Sequence, residues 1–239
     1  MNVPELFTIH DKFLLLSGVA RERFNGTLAG KLLLRDGFDA DGAAALVAGS
    51  VAGAASLCVD ENGERLRAGL RAGFCDFVVG HLDEALRILK NELRRGLPVS
   101  VGLTAESEAC LRVMAERGVQ PDLLSMAGEA AQIFVERGAV LLPDLHEHDG
   151  ETSLLCWSVA ADAGRTMPQI ARIAAEALDL RREDAQARRR WLETAPRYLG
   201  RAFAGRQCVR MTEAEAAAFN QRARGEVPDV TIEVGGKAG

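Results

Sequence analysis

The stretch Lys31–Gly53 reads KLLLRDGFDADGAAALVAGSVAG, and its interpretation decides the fold. An apolar run, Lys31–Leu34, leads into a turn with two glycines, and an alanine-rich helix follows over Gly42–Ala52. A strand that passes through a glycine turn into a helix is the shape of a dinucleotide-binding first crossover. There the helix aims its free N–H groups and the positive end of its dipole at a pyrophosphate. The fingerprint of such turns, G-x-G-x-x-G, falls here on Gly37, Asp39 and Gly42. The outer glycines suit a tight turn and close helix–strand packing. The middle one, which lets the backbone approach the phosphates, is replaced by Asp39.

That replacement changes the electrostatics. Asp36, Asp39 and Asp41 place three carboxylates around a group of about two negative charges, an opposition of several kcal/mol in a partly dry site. No lysine lies within the turn to bridge them. The second half of a dinucleotide site is an acidic residue about 20 positions on, which holds a ribose. Asp60 meets that description, 18 residues past Gly42 and directly after SLCV. The signal is half intact. GFDADG also reads as a plain strand–helix turn with Asp41 as its N-cap.

Outward from this turn the same rhythm repeats. Short apolar runs recur at 55–59, 76–79, 98–103, 122–124 and 138–142, separated by helical stretches at 64–72, 82–95, 106–117 and 129–137. The runs are apolar at successive positions, as in parallel strands covered on both faces. Several helices stop at a glycine, which accepts the left-handed conformation that closes a last turn. The implied fold class is α/β: a doubly wound, mostly parallel Rossmann-like sheet over residues 28–143, behind a helical lead-in over 1–27. Residues 144–239 read as an α-rich C-terminal extension with one or two extra strands, SLLCWSV (153–159) and an edge strand VTIEV (230–234). Helices are expected there at Pro168–Leu178, with the proline in the first turn, at Glu183–Leu199, and at Thr212–Arg222 behind a Thr212/Glu215 capping box.

Composition bounds the function. At 48% hydrophobic but 5% aromatic, the core of this 239-residue chain must be built mainly from Ala, Val and Leu. A formal net charge of -5 without a separate basic block argues against a nucleic-acid partner. No apolar run reaches the roughly 18 residues that span a bilayer, and MNVPELFTIHDKF lacks the basic start and apolar core of a secretory signal. A cytoplasmic location without a membrane partner is the expectation. Cys58, Cys75, Cys110, Cys156 and Cys208 are scattered without a C-x-x-C pair and read as buried reduced thiols.

Other constellations are weak. His146 and His148, with Asp149 or Asp144, could grip a metal, but no third distant ligand is evident, so LHEHDG reads as a solvated loop and no metal is assigned. His10 and His81 read as cap or surface residues. RREDAQARRRW reads as the wet face of a helix whose apolar side carries Trp191 and Leu192. There is no G-x-S-x-G elbow, P-loop lysine or H-E-x-x-H.

Longer blocks carry a family likeness. RFNGTLAGKLLL, GERLRAGLRAGFCDFVVGHLDEAL, LPVSVGL and ERGVQPDLL follow in order across roughly residues 10–125 and resemble the central domain of urocanase (urocanate hydratase). The resemblance implies a Rossmann-like NAD-binding domain, one that in the family is inserted into a larger catalytic protein. There NAD acts as an electrophile that attaches to the imidazole substrate. The departures fall on the family's functional positions. Ala45-Leu46 stand where the family's glycine-rich turn ends in Gln-Pro, and Ala105-Glu106 replace a Gly-Asn pair near the cofactor. Met126-Ala127-Gly128-Glu129 replace the Asp-Gln-Thr-Ser signature, with Ala131 at the position of the histidine that follows. The family's flanking core, with its essential cysteine, has no counterpart in these residues, so a stand-alone relative is expected.

The expectation is a urocanase-like Rossmann protein without urocanate hydratase activity. It would bind a small or nucleotide-type ligand at the strand C-terminal ends, beside Gly37, Asp39, Gly42, Asp60 and Glu106. NAD as the cofactor is implied by the resemblance and opposed by the altered turn; no catalytic residue is assigned. Two alternatives stand beside it. One is an NAD-using enzyme with a remodelled site, bound through the Gly42 helix and Asp60, with Glu106 in an acid/base role. The other is a non-catalytic interaction module, with a homodimer through the C-terminal extension as its simplest form.

Overall fold

The computed structural model describes residues 3–126, 128–143, 151–159, 162–227 and 229–234. The loop residues Asp144, His146, His148 and Asp149 lie outside the described residues. The chain divides into two compact units, residues 1–145 and 146–239.

In unit 1, α1 (Leu6–Arg23) precedes β1 (Leu32–Asp36), α2 (Ala40–Ala52), β2 (Ala55–Asp60), α3 (Gly63–Ala72) and β3 (Phe77–Val79). Next come α4 (Leu82–Arg95), β4 (Val99–Thr104), α5 (Ser107–Glu116), β5 (Leu123–Ser125), α6 (Glu129–Glu136) and β6 (Val140–Leu141). The six strands form one parallel sheet in the order β3-β4-β2-β1-β5-β6. The connection reverses direction at β1, which pairs with β2 on one side and β5 on the other. That reversal opens a crevice outside the carboxyl ends of β1 and β5, where such sheets place their ligands.

Both sheet faces are covered. Leu32, Leu34, Leu57, Val59, Val101 and Leu103 pack in one core with Ala85 and Leu89 of α4, Met114 of α5 and Phe134 of α6. On the opposite face lies α2, buried from Gly42 to Ala52, with α1 packed on it. Alanine and glycine let α2 approach closely. A Cβ at Gly49 would stand 2.6 Å from Ser56 Oγ and 3.2 Å from Leu33 Cδ2. A helix apolar on all sides must be enclosed on all sides. His10 in α1 is fully buried beside Asp11, at 3.2 Å, rather than a surface residue. His81 precedes α4 without a side-chain cap. Among the described residues no helix is long and apolar enough to cross a membrane.

Unit 2 contains β7 (Ser153–Val159), α7 (Ala163–Ala177), α8 (Ala185–Thr194), short 3-10 turns at Ala195–Arg197 and Arg201–Phe203, β8 (Arg206–Met211), α9 (Glu213–Glu226) and β9 (Val230–Val234). The strands form an antiparallel sheet in the order β8-β7-β9. Three strands among the described residues, not one or two, correct the expectation. The addition is β8, whose sequence RQCVRM hides its strand character behind a polar residue, Gln207, which is buried and donates to Leu192 O at 3.1 Å. That carbonyl is free because Pro196, four residues on, has no N–H to offer it. Pro196 also explains why α8 ends at Thr194 instead of running to Leu199. α7 starts at Ala163 and carries Pro168 inside it, not in its first turn.

Trp191 and Leu192 are buried, as expected, but the arginine face is not wholly wet. Arg188 is fully buried, 2.7 Å from Glu215 Oε2 and 2.9 Å from Asp184, and it donates to Arg210 O at 3.0 Å. The Thr212/Glu215 capping box forms. All five cysteines are free thiols; Cys156 is half-buried and the other four are buried.

Candidate functional site

The turn after β1 keeps two glycines for physical reasons. Gly37 has φ +81°, where a side chain is strained, and a Cβ at Gly42 would lie 2.1 Å from Gly37 O. Between them, Asp39 sits in extended backbone as the N-cap of α2, its Oδ1 accepting the Gly42 N–H at 2.7 Å. This corrects the assignment of Asp41 as the cap. A cap must stand outside the helix and reach forward to the second or third helical N–H. With α2 starting at Ala40, Asp41 is already inside the first turn.

The acidic turn is also not left without cations. Arg35, in β1, donates to Ser125 O at 2.7 Å and to Gly37 O at 3.4 Å, bridging the ends of β1 and β5. Its guanidinium lies 3.4 Å from Asp39 and 3.5 Å from Asp41. Lys12 of α1 reaches Asp41 at 2.8 Å, and Asp36 accepts from Ser107 Oγ of α5. Each of the three carboxylates therefore has a partner. Asp39 and Asp41 are both substantially exposed, so their ion pairs contribute at most about 1 kcal/mol each.

Asp60 ends β2 and is only 4% exposed. Its oxygens accept the N–H of Phe38 at 2.6 Å and of Asn62 at 2.7 Å, with Arg65 Nε at 3.5 Å. This carboxylate fastens the β1–α2 turn to the end of β2. The ring of Phe38, fully buried, lies over Gly69 of α3, so closely that a Cβ there would be 2.2 Å from Cε1.

Glu106 is the exposed N-cap of α5, and its carboxylate accepts the N–H groups of Ala109 at 2.7 Å and Glu108 at 2.9 Å. Those two bonds hold its carboxyl below the usual glutamate range, which ill suits it to proton transfer near neutral pH. Asn62 caps α3 in the same way. The starts of α2, α3 and α5 each carry a side-chain oxygen of the chain itself, whereas α6 begins at Gly128 with no side-chain cap.

The fold places Gly37, Asp39 and Gly42 in the β1–α2 turn and ties Asp60, at the end of β2, to that turn through the Phe38 N–H. The Glu106 carboxylate is taken up by its own helix, while its neighbours Ala105 and Ser107 bond Asp60 O and Asp36. Arg35, Phe38 and Lys12 escape sequence reasoning. For Arg35 a signal existed, a charge closing the apolar run KLLL; for Lys12 there was none, because it comes from another element. Ala131 is buried in the core. The Cys75 thiol, deep under α3, is pushed up to about 12 by burial. Among the described residues no cluster of three or more His, Cys, Asp or Glu could hold a metal ion.

The family model of the urocanase Rossmann-like domain matches residues 8–134, which is more than half of the chain and lies wholly within unit 1. It spans α1 from Thr8 onward, strands β1 to β5, and α6 as far as Phe134. Sheet order and sequence match agree, and the chain belongs to the urocanase Rossmann-like domain family.

Proposed function

We propose that this protein is a urocanase-like module without urocanate hydratase activity, whose strand-end crevice takes a ligand smaller and less anionic than NAD. The observation that carries this reading is the Asp39 carboxylate on the Gly42 N–H. The start of α2, which would otherwise face a pyrophosphate, already has its anion. A pyrophosphate would have to displace Asp39 and then meet it and Asp41 at short range. The ribose side supports the same reading, because both Asp60 oxygens are committed to backbone N–H groups. A small ligand would instead meet the uncapped first turn of α6, next to Ser125 and Arg35.

The test is the ligand content of the purified chain by mass spectrometry, followed by calorimetric titration with NAD and the ultraviolet absorbance of added urocanate. The expected results are no released NAD, no heat of binding and no decay of urocanate. Stoichiometric NAD, or a melting temperature raised by NAD, overturns the reading.

A second reading, an NAD-using enzyme with a remodelled site, is favoured by one observation: Gly37 and Gly42 keep the geometry of a phosphate turn, and Asp39 is exposed enough to swing aside. On that reading Asp39→Gly leaves NAD binding unchanged or improved, and Asp60→Ala abolishes it. On the first reading neither the unsubstituted chain nor Asp60→Ala binds NAD.

A further inference from the structure

β7 and β8 pair in a register that sets Cys156 directly opposite Cys208. Opposed residues in an antiparallel ladder alternate between hydrogen-bonded and non-hydrogen-bonded pairs, and the second kind brings side chains closer. The N–H of Val159 donates to Gly205 O at 2.9 Å, one step beyond the Ser158–Arg206 pair. Val159–Gly205 is thus a hydrogen-bonded pair. Counting back along the ladder, Trp157–Gln207 is hydrogen-bonded and Cys156–Cys208 is not. In such a pair the Cα atoms stand about 4.5 Å apart, at the short end of the roughly 4.4–6.8 Å that disulfides span.

We propose that Cys156 and Cys208 form a dithiol that a hydroperoxide converts into a reversible cross-strand disulfide. Cys156 is the attacking sulfur, because it is half-buried while Cys208 is fully buried. The Cys156 thiolate attacks one peroxide oxygen. The O–O bond breaks, a sulfenic acid forms on Cys156, and the other oxygen leaves with a proton as water or alcohol. The Cys208 sulfur then attacks Cys156, the S–O bond breaks, and the departing hydroxide takes the Cys208 proton as a second water. Two thiols lose two electrons and two protons, and the peroxide gains them.

The surroundings select this pair. The hydrogen bond from Cys208 lowers the Cys156 thiol from its ordinary value; burial opposes this, and Arg206 adds to the lowering. Burial raises Cys58, Cys75 and Cys110 instead, which keeps them protonated and unreactive. The Cys156 sulfur is half-buried and open to an incoming thiolate, so an added dithiol reverses the step by exchange.

The experiment exposes the full chain to a modest excess of hydrogen peroxide, then counts thiols after unfolding. The expected count falls from five to three and returns to five with dithiothreitol, with peptide mapping giving one Cys156–Cys208 link. In Cys208→Ser, dimedone should capture a sulfenic acid at Cys156; in Cys156→Ser, peroxide should remove no thiol. Five thiols surviving peroxide, a link to any other cysteine or between chains, or dimedone at another site would each overturn the proposal. The mapping uses the unsubstituted chain, so it stands even where a variant fails to fold.

Discussion

Replacing Asp60 by alanine separates a structural carboxylate from a ligand-holding one. Asp60 accepts N–H groups from Phe38 at 2.6 Å and Asn62 at 2.7 Å. Phe38 is fully buried, so after truncation its N–H finds neither acceptor nor water. An unpaired buried donor costs about 1–3 kcal/mol. Asn62 is exposed, and its N–H recovers water at a cost of about 0.5–1 kcal/mol. The Arg65 contact adds little, because that side chain is 38% exposed. The sum is about 1.5–4 kcal/mol from unit 1. At a urea dependence of about 2 kcal/mol per molar, the unfolding midpoint should fall by about 1–2 M.

The chain supplies its own control for that measurement. Trp157, Trp191 and the single tyrosine, Tyr198, all lie in unit 2, so near-ultraviolet fluorescence follows unit 2 while far-ultraviolet circular dichroism follows both. The circular dichroism transition of unit 1 should move and the fluorescence midpoint should stay. Asp60→Asn should fall between the two, since its amide keeps one acceptor but turns an NH2 toward the other donor. A shift of unit 1 below about 0.3 M would refute the reasoning, because Asp60 would then not be holding the turn.

Two other perturbations follow from the same geometry. Asp39→Ala should cost unit 1 about 1 kcal/mol and Asp39→Gly only a few tenths, as for other N-caps; equal losses in urea melts would mean that the Gly42 bond is not a cap. In unit 2, Glu215 is pushed up by burial, but Arg188 and the N–H groups of Thr212 and Asp179 together hold it below its ordinary value of 4.5. Its folded pKa is depressed, so the stability it contributes is present above that value and is lost as pH falls through the folded pKa. The fluorescence midpoint in urea should therefore decline below about pH 4.5, and Glu215→Gln should flatten that decline while lowering stability at neutral pH. An unchanged slope in the variant would count against the pairing.

Much of unit 1 is legible in the sequence because its signals are local. A strand in a covered parallel sheet needs only a run of apolar neighbours, and a helix that ends in a left-handed glycine announces its own stop. Leu82–Arg95 is readable to the residue for that reason. β8 is not readable, because Gln207 and its partner Leu192 are fifteen residues apart and meet only where α8 packs on β8. Arg188 looks like solvent-facing charge until Glu215, twenty-seven residues on, encloses it.

The same division runs through the site. By itself the sequence determines a parallel sheet with an acidic glycine turn after its first strand; spacing singles out Gly37, Asp39, Gly42 and Asp60, and the family resemblance adds Glu106. Only the tertiary structure decides what those carboxylates do. A two-residue change in where α2 begins makes Asp39 the cap in place of Asp41. Arg35 and Lys12 arrive from a strand and from a separate helix, and the Phe38 N–H from across the β1–β2 pair. Hydrogen bonds depend on distances of a few ångströms between segments that come together only when the sheet closes, and spacing along the chain does not carry those distances.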